Sequence, residues 1–150
     1  MEQSLEIDVA AAWARAARVV EFSVESALAQ VGMTPTEHEI LRALFDSCSL
    51  NISDLGKIAV LTKSGASRAI KHMEQAGWVE RKASGTDRRA MAVSITPAGH
   101  EKFLEATEAI QPVVDKYLLD NLSPRDTREL MRFLANVVAA GEEECTEANA

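Results

Sequence analysis

Apolar side chains recur along the first thirty positions at Leu5, Val9, Ala12, Ala16, Val19, Val20 and Ala27, with no Pro or Gly before Gly32. That spacing predicts one long helix over residues 5–30, closed by Gly32. Thr34-Pro35-Thr36-Glu37 then opens a second helix with a capping box. The Thr34 hydroxyl caps, Pro35 occupies a position that needs no N–H, and Glu37 reaches back. The predicted buried face of this helix is Ile40, Leu41, Leu44 and Phe45. The same start signal returns at Thr96-Pro97 and Ser123-Pro124. It predicts helices over residues 97–120 and 124–143, the first kinked where Pro112 lacks an N–H. The second repeats apolar residues at Leu130, Phe133, Leu134, Val137 and Val138. Residues 144–150 are polar and are expected to fray.

Between the long helices the period changes. Ser53 is suited to cap a short helix over residues 53–60 that buries Leu55, Ile58 and Ala59. Thr62 caps the next helix, residues 63–75, which Gly77 stops. Trp78 to Lys82 reads as a strand, Ser84-Gly85-Thr86-Asp87 as a turn, and Met91, Val93 and Ile95 as the inward face of a returning strand. Helix, turn, helix and a two-stranded β-hairpin make a mainly α (α+β) winged helix-turn-helix. One domain over residues 1–150 is predicted. A lobe at residues 33–99 is flanked by long N- and C-terminal helices at 5–31 and 97–143.

The helix over residues 63–75 has two faces. Ala66, Ala69, Ile70 and Met73 follow the i, i+3, i+4, i+7 rule and form a packing stripe. Lys63, Ser67 and Lys71 form a second row, with Ser64 and Arg68 one position further round. These are donors and cations of the kind that meet base edges and phosphates in a major groove. Overall net charge is −7, which taken whole argues against nucleic acid. The charge is segregated, however. From Lys57 to Arg89 eight basic residues face three acidic ones, so that stretch is basic on an otherwise acidic chain. Such a local stretch is the footprint of a phosphate-binding face. Arg88 and Arg89 follow the hairpin turn, where guanidinium groups can enter a minor groove. Double-stranded DNA is the expected partner.

Other chemistry finds little support. Cys48 and Cys145 have no Cys or His at metal-ligand spacing and are expected to be ordinary thiols, with Cys145 the better redox candidate. No metal and no cofactor is expected. Lys63-Ser64-Gly65 lacks an accompanying S-x-x-K nucleophile, and Gly56-Lys57 lacks a phosphate-cradling glycine loop, so the chain is not expected to be an enzyme. A winged helix serving only protein–protein contact is disfavoured by its basic outer face. With neither a basic, apolar leader nor a membrane-length apolar run, a soluble, cytoplasmic protein is expected, with no membrane partner.

These residues resemble the MarR family of bacterial regulators from Met33 to Gly99. Thr34-Pro35-Thr36-Glu37-His38-Glu39-Ile40-Leu41 is similar to the family's L-T-x-x-E-x-x-I-L block. The run from Ser67 to Arg81 resembles S-R-x-x-x-x-L-E-x-x-G-L-V-x-R, with Met73 and Trp78 replacing two leucines. Asp87-Arg88-Arg89 followed by Ser94-Ile95-Thr96-Pro97-Ala98-Gly99 resembles D-x-R … x-L-T-x-x-G. The resemblance implies a homodimer whose first, fifth and sixth helices interleave, binding pseudo-palindromic operators. It implies the 63–75 helix in the major groove and the wing in the minor groove. Arg89 then resembles the family's groove-inserting arginine, and Asp87 the acid that supports a neighbouring arginine. Repression relieved by a small aromatic or phenolic anion is the family default. The reactive Cys that the peroxide-sensing branch carries in its first helix has no counterpart here. Candidate ligand residues are Trp13, Arg15, Arg18, His38 and Arg42: an arginine pairs with a carboxylate and Trp13 can stack on a ring. Dimer core for Trp13 and salt bridges for the arginines are the alternatives.

Overall fold

The computed structural model describes residues 2–47, 49–59, 61–83 and 91–148, with side chains from residue 7 to 140 except at 63, 83 and 91. The elements in chain order are α1 (Glu2–Gln30), α2 (Pro35–Ser47), β1 (Ser49–Asn51), α3 (Ile52–Ile58), α4 (Lys63–Gln75), β2 (Val79–Ala83), β3 (Met91–Ile95), α5 (Pro97–Tyr117) and α6 (Pro124–Ala148). A 3-10 turn at Leu119–Asn121 joins the last two helices.

Four of the five expected caps form, at Thr34, Thr62, Thr96 and Ser123. Thr34 N–H donates to the Glu37 carboxylate at 2.9 Å while Glu37 N–H donates to Thr34 Oγ1 at 3.2 Å. Thr62 caps α4 and Thr96 caps α5, each accepting from a glycine N–H three residues on, Gly65 and Gly99. Ser123 Oγ accepts from Asp126 N–H at 3.2 Å at the start of α6. Each bond satisfies a backbone donor that a helix start leaves without an intrahelical partner.

Several boundaries differ from expectation, and one strand is added. The cap of α3 is Asn51, whose side chain accepts from Asp54 N–H at 2.8 Å, so the helix starts one residue ahead of Ser53. Asn51 also closes a third strand: β1 pairs antiparallel with β3, Leu50 opposite Val93, in a sheet ordered β1-β3-β2. Three residues are too few to show an alternation, and pairing to the free edge of β3 supplies what propensity does not. α5 ends at Tyr117, three residues short of the expected end, with Pro112 inside it. α6 reaches Ala148, beyond the expected end at residue 143, because Gly141 is followed by residues with adequate helix propensity.

The core lies where α1, α2, α4, α5 and the sheet converge. Leu28, Ile40, Leu41, Leu44, Leu55, Ile70, Met73 and Val93 are fully buried. Phe45, expected inside, is partly exposed and packs instead on His100 and Phe103 of α5, ring centroids 5.1 and 4.9 Å away. The end of α4 is locked to the start of α5. Gly77 takes φ +78, a conformation L side chains rarely adopt, and its carbonyl accepts from Thr96 Oγ1 at 2.6 Å. The Trp78 carbonyl accepts from Thr96 N–H at 3.0 Å, and a Cβ on Gly99 would overlap that same carbonyl. Glycine at position 99 is therefore what lets α5 begin directly beneath the α4–β2 turn.

Candidate nucleic-acid interface

α4 is held against the core by the stripe its sequence spacing predicts. Ala66, Ile70 and Met73 are fully buried, and Ala69 packs at their edge. Ser64, Arg68 and Lys71 are exposed on the outside and Ser67 is half-buried between the two faces. Thr62 Oγ1 lies 3.2 Å from Ser64 Oγ, which orients the first turn. Among the described residues neither Arg68 nor Lys71 enters an ion pair. The outward row is thus a set of solvated cations and hydroxyls on a rigid helix. That arrangement can donate to phosphate oxygens and base edges, and offers no acid, base or nucleophile set for catalysis.

Lys63 is the first residue of α4, its side chain outside the described residues. Asp87, Arg88 and Arg89, the expected wing tip, lie outside the described residues, as does Cys48. Cys145 falls within α6, its side chain likewise outside them. The two strands that carry the wing are in place, with Arg81 opposite Val93 and Lys82 opposite Ala92.

Two polar ties fix α4 to its surroundings. Glu74 Oε2 lies 3.3 Å from Arg81 Nε on β2. Glu37 Oε1, on α2, lies 2.5 Å from His72 Nδ1. Glu37 is the buried charged residue of the described core, at 5% exposure, and it serves both its own helix start and α4. Sequence reasoning found Glu37 as a cap and passed over His72. Their partnership joins residues 35 positions apart, and no local spacing signals such a bond.

The five candidate ligand residues do not converge. Arg15 and Arg18 line one open cleft of about 510 Å³ together with Val19, Phe22, Ser23 and Tyr117, between α1 and the end of α5. A hydrogen bond with Ser23, and then Lys116, hold the Tyr117 phenol below its ordinary value. Trp13 lies elsewhere on α1, edge-on to Phe133 of α6 at 5.7 Å. Arg42 is bound within α2, 2.6 Å from Glu39 and 3.8 Å from Asp46. His38 stacks on Phe103 at 5.4 Å. Burial pushes its imidazole below the ordinary value, Glu39 opposes that shift and Arg42 adds to it. No three His, Cys, Asp or Glu side chains among the described residues group as metal ligands.

A family model described as MarR family matches residues 31–90. An HTH-type transcriptional repressor of Mycobacterium tuberculosis is 29% identical over 120 residues, covering 80% of this chain and 86% of the relative. The crystal structure of AbsC, a MarR family transcriptional regulator from Streptomyces coelicolor, superposes with a TM-score of 0.81 at 26% identity, over 91% of this chain and 93% of that one. A second MarR family regulator of that organism, solved in complex with DNA, has a TM-score of 0.83 at 24% identity, over 91% and 88% of the two chains.

Proposed function

Because the chain belongs to the MarR family of winged-helix transcription regulators, we propose that it is a homodimeric repressor whose α4 enters the major groove of a pseudo-palindromic operator. The observation that carries this reading is the division of α4. One face is fully buried at Ala66, Ile70 and Met73, which fixes the helix, and the other presents Ser64, Ser67, Arg68 and Lys71 to solvent. By its sequence position, four residues before Ser67, Lys63 belongs to the same proposed row. Arg88 and Arg89, supported by Asp87, would hold the adjacent minor groove.

Support for the homodimer comes from the long helices. Phe22 on α1 is 74% exposed and Met131 on α6 is 62% exposed, and Val9, Val19, Phe133, Val137 and Val138 are exposed with them. Apolar surface of this extent on two helices is what a partner subunit covers. Phe133 of α6 lies edge-on to Trp13 of α1, while Met131, Val137 and Val138 of the same helix are exposed, which leaves apolar surface available to a second copy. Cytoplasmic residence accords with this function, and no described helix is long and apolar enough to cross a membrane.

Relief by a small aromatic anion is the regulatory part of the proposal. Its support is the Arg15–Arg18 cleft, where two guanidinium groups one helical turn apart lie beside Phe22 and Tyr117. Of the five ligand candidates, these two arginines are the pair that shares a cavity. An effector releases DNA only by binding one spacing of the two α4 helices better than another.

The test is binding to a duplex selected from a random pool by the full-length protein. Affinity for the selected duplex should exceed that for a scrambled one and fall steeply, about tenfold or more, between about 50 and about 200 mM salt. Equal, weak binding to both duplexes would refute the proposal.

A further inference from the structure

One lysine meets three parts of the chain at once. Lys102 lies in the second turn of α5, and its side chain is only 19% exposed. Its ammonium donates to the Val31 carbonyl, just past the end of α1, and to Glu105 Oε2 at 2.9 Å. It also lies over the indole of Trp78, 5.7 Å from the ring centroid. The Val31 carbonyl sits in the turn between α1 and α2, where Gly32 takes φ +68. Carbonyls at a helix end lack intrahelical donors, and a cation is favourable there. Trp78 is bonded on both sides in its turn. Its N–H donates to the Met73 carbonyl of α4 at 2.9 Å, and its carbonyl accepts from Thr96 N–H at 3.0 Å. Its ring lies edge-on to His72 of α4 at 6.3 Å.

Bonds from Thr96 already hold the start of α5 to the α4–β2 turn. What Lys102 adds is the α1–α2 turn, so that the long helices and the base of α4 meet on one ammonium. Position 78 is also where the chain departs from the family pattern, which has leucine there. A leucine side chain offers no ring face to a cation, whereas an indole does. We propose that Lys102 is a positioning residue for operator recognition: it fixes the angle between α4 and the α1–α5 pair, and so the separation of the two α4 helices in the dimer. The inference rests on the proposed dimer reading DNA through α4. Lys102 acts through Trp78 and Val31 rather than on DNA, since its side chain is mostly covered and its charge is met by Glu105. Without the ammonium, α1 keeps its apolar packing on α5 but loses its polar tie to the α4–β2 turn. α4 then samples a wider range of angles, and fewer dimers carry the matching separation. Apparent affinity falls with that fraction.

The experiment measures affinity of the full-length protein for its selected duplex, for the same duplex with its half-sites a single base pair closer or further apart, and for a scrambled duplex. It compares the wild type with Lys102→Met, Lys102→Arg and Trp78→Leu, each checked for cooperative unfolding. The wild type should prefer its own spacing by about tenfold or more. Lys102→Met removes the ammonium and keeps an unbranched apolar stem. Its affinity for the selected duplex should fall about fivefold, its affinity for the scrambled duplex should hold, and its penalty for altered spacing should be roughly threefold smaller. Lys102→Arg keeps the cation, the donors and the stacking on Trp78, and should restore the wild-type spacing penalty. Trp78→Leu removes the ring face and should reproduce the methionine pattern in weaker form. A Lys102→Met protein that binds like wild type, or that loses affinity equally for every duplex with its spacing penalty unchanged, would overturn the proposal. Failure of Lys102→Arg to restore the penalty would overturn it too. If the methionine variant does not fold, an unchanged penalty in Trp78→Leu decides against the proposal. Equal, weak binding of the wild type to selected and scrambled duplexes would instead refute DNA reading through α4.

Discussion

His38 stacks on Phe103 with Nε2 buried and no hydrogen-bond partner. A proton added there would be a charge without an acceptor, and burial accordingly lowers the imidazole pKa. A histidine whose folded value lies below its unfolded one, about 6.5, contributes nothing to pH dependence when neutral in both states. Stability is lost as the pH falls below that unfolded value and then through the lower folded value, because the unfolded chain takes up the proton more readily. The melting temperature should therefore drop between pH about 7.5 and pH about 5.5, and His38→Phe should reduce that drop. An equal drop in both proteins would show that the acid sensitivity lies elsewhere. Single residues also mark where sequence reading stopped. Among the ligand candidates, Trp13 packs on Phe133, His38 packs on Phe103, and Arg42 pairs with Glu39 and Asp46, neighbours that residue type alone does not disclose.

At the scale of elements, the helix starts were the most legible feature, since capping is a local contract between a hydroxyl and backbone donors two or three residues on. Thr34, Thr62, Thr96 and Ser123 all satisfy it. Ser53 did not become the α3 cap because Asn51 offers both a cap and the last pairing position of β1. β1 itself was invisible, since its existence depends on β3, more than forty residues later in the chain. The packing stripe of α4 was legible through its period, and the outward row follows from it. That row predicts a division of labour. Lys71→Ala and Arg68→Ala should weaken binding across all duplexes and each reduce the slope of log affinity against log salt by about 1. Ser67→Ala should change preference at one operator position, by no more than the about 1–3 kcal/mol that a mismatched base pair costs. The measurement is a salt series with a panel of single-base operator variants. If all three substitutions act alike across the panel, Ser67 is not reading a base.

For the whole molecule, the distribution of polarity is the informative property. The lobe carrying α4 has a closed apolar core, while α1 and α6 leave theirs open. An acidic chain with cations on the outside of α4 and uncovered apolar surface on its long helices fits the proposed place as half of an assembly. In the proposed dimer, two-fold symmetry would turn one α4 into a pair, and the spacing of that pair is the quantity that the proposed effector in the Arg15–Arg18 cleft would alter. Sequence reading reached the long helices and their apolar repeats, but not the cleft, because it is shared by residues from α1 and the far end of α5. The most direct test of the central claim is the geometry of the bound DNA. Two α4 helices in successive major grooves require half-sites about 10 base pairs apart, centre to centre. The selected duplexes should be pseudo-palindromic with that spacing and bind two chains each. Inserting about five base pairs, half a helical turn, between the half-sites should abolish the two-chain complex. Undiminished binding of two chains to the half-turn insertion would contradict a rigid dimer reading DNA through α4.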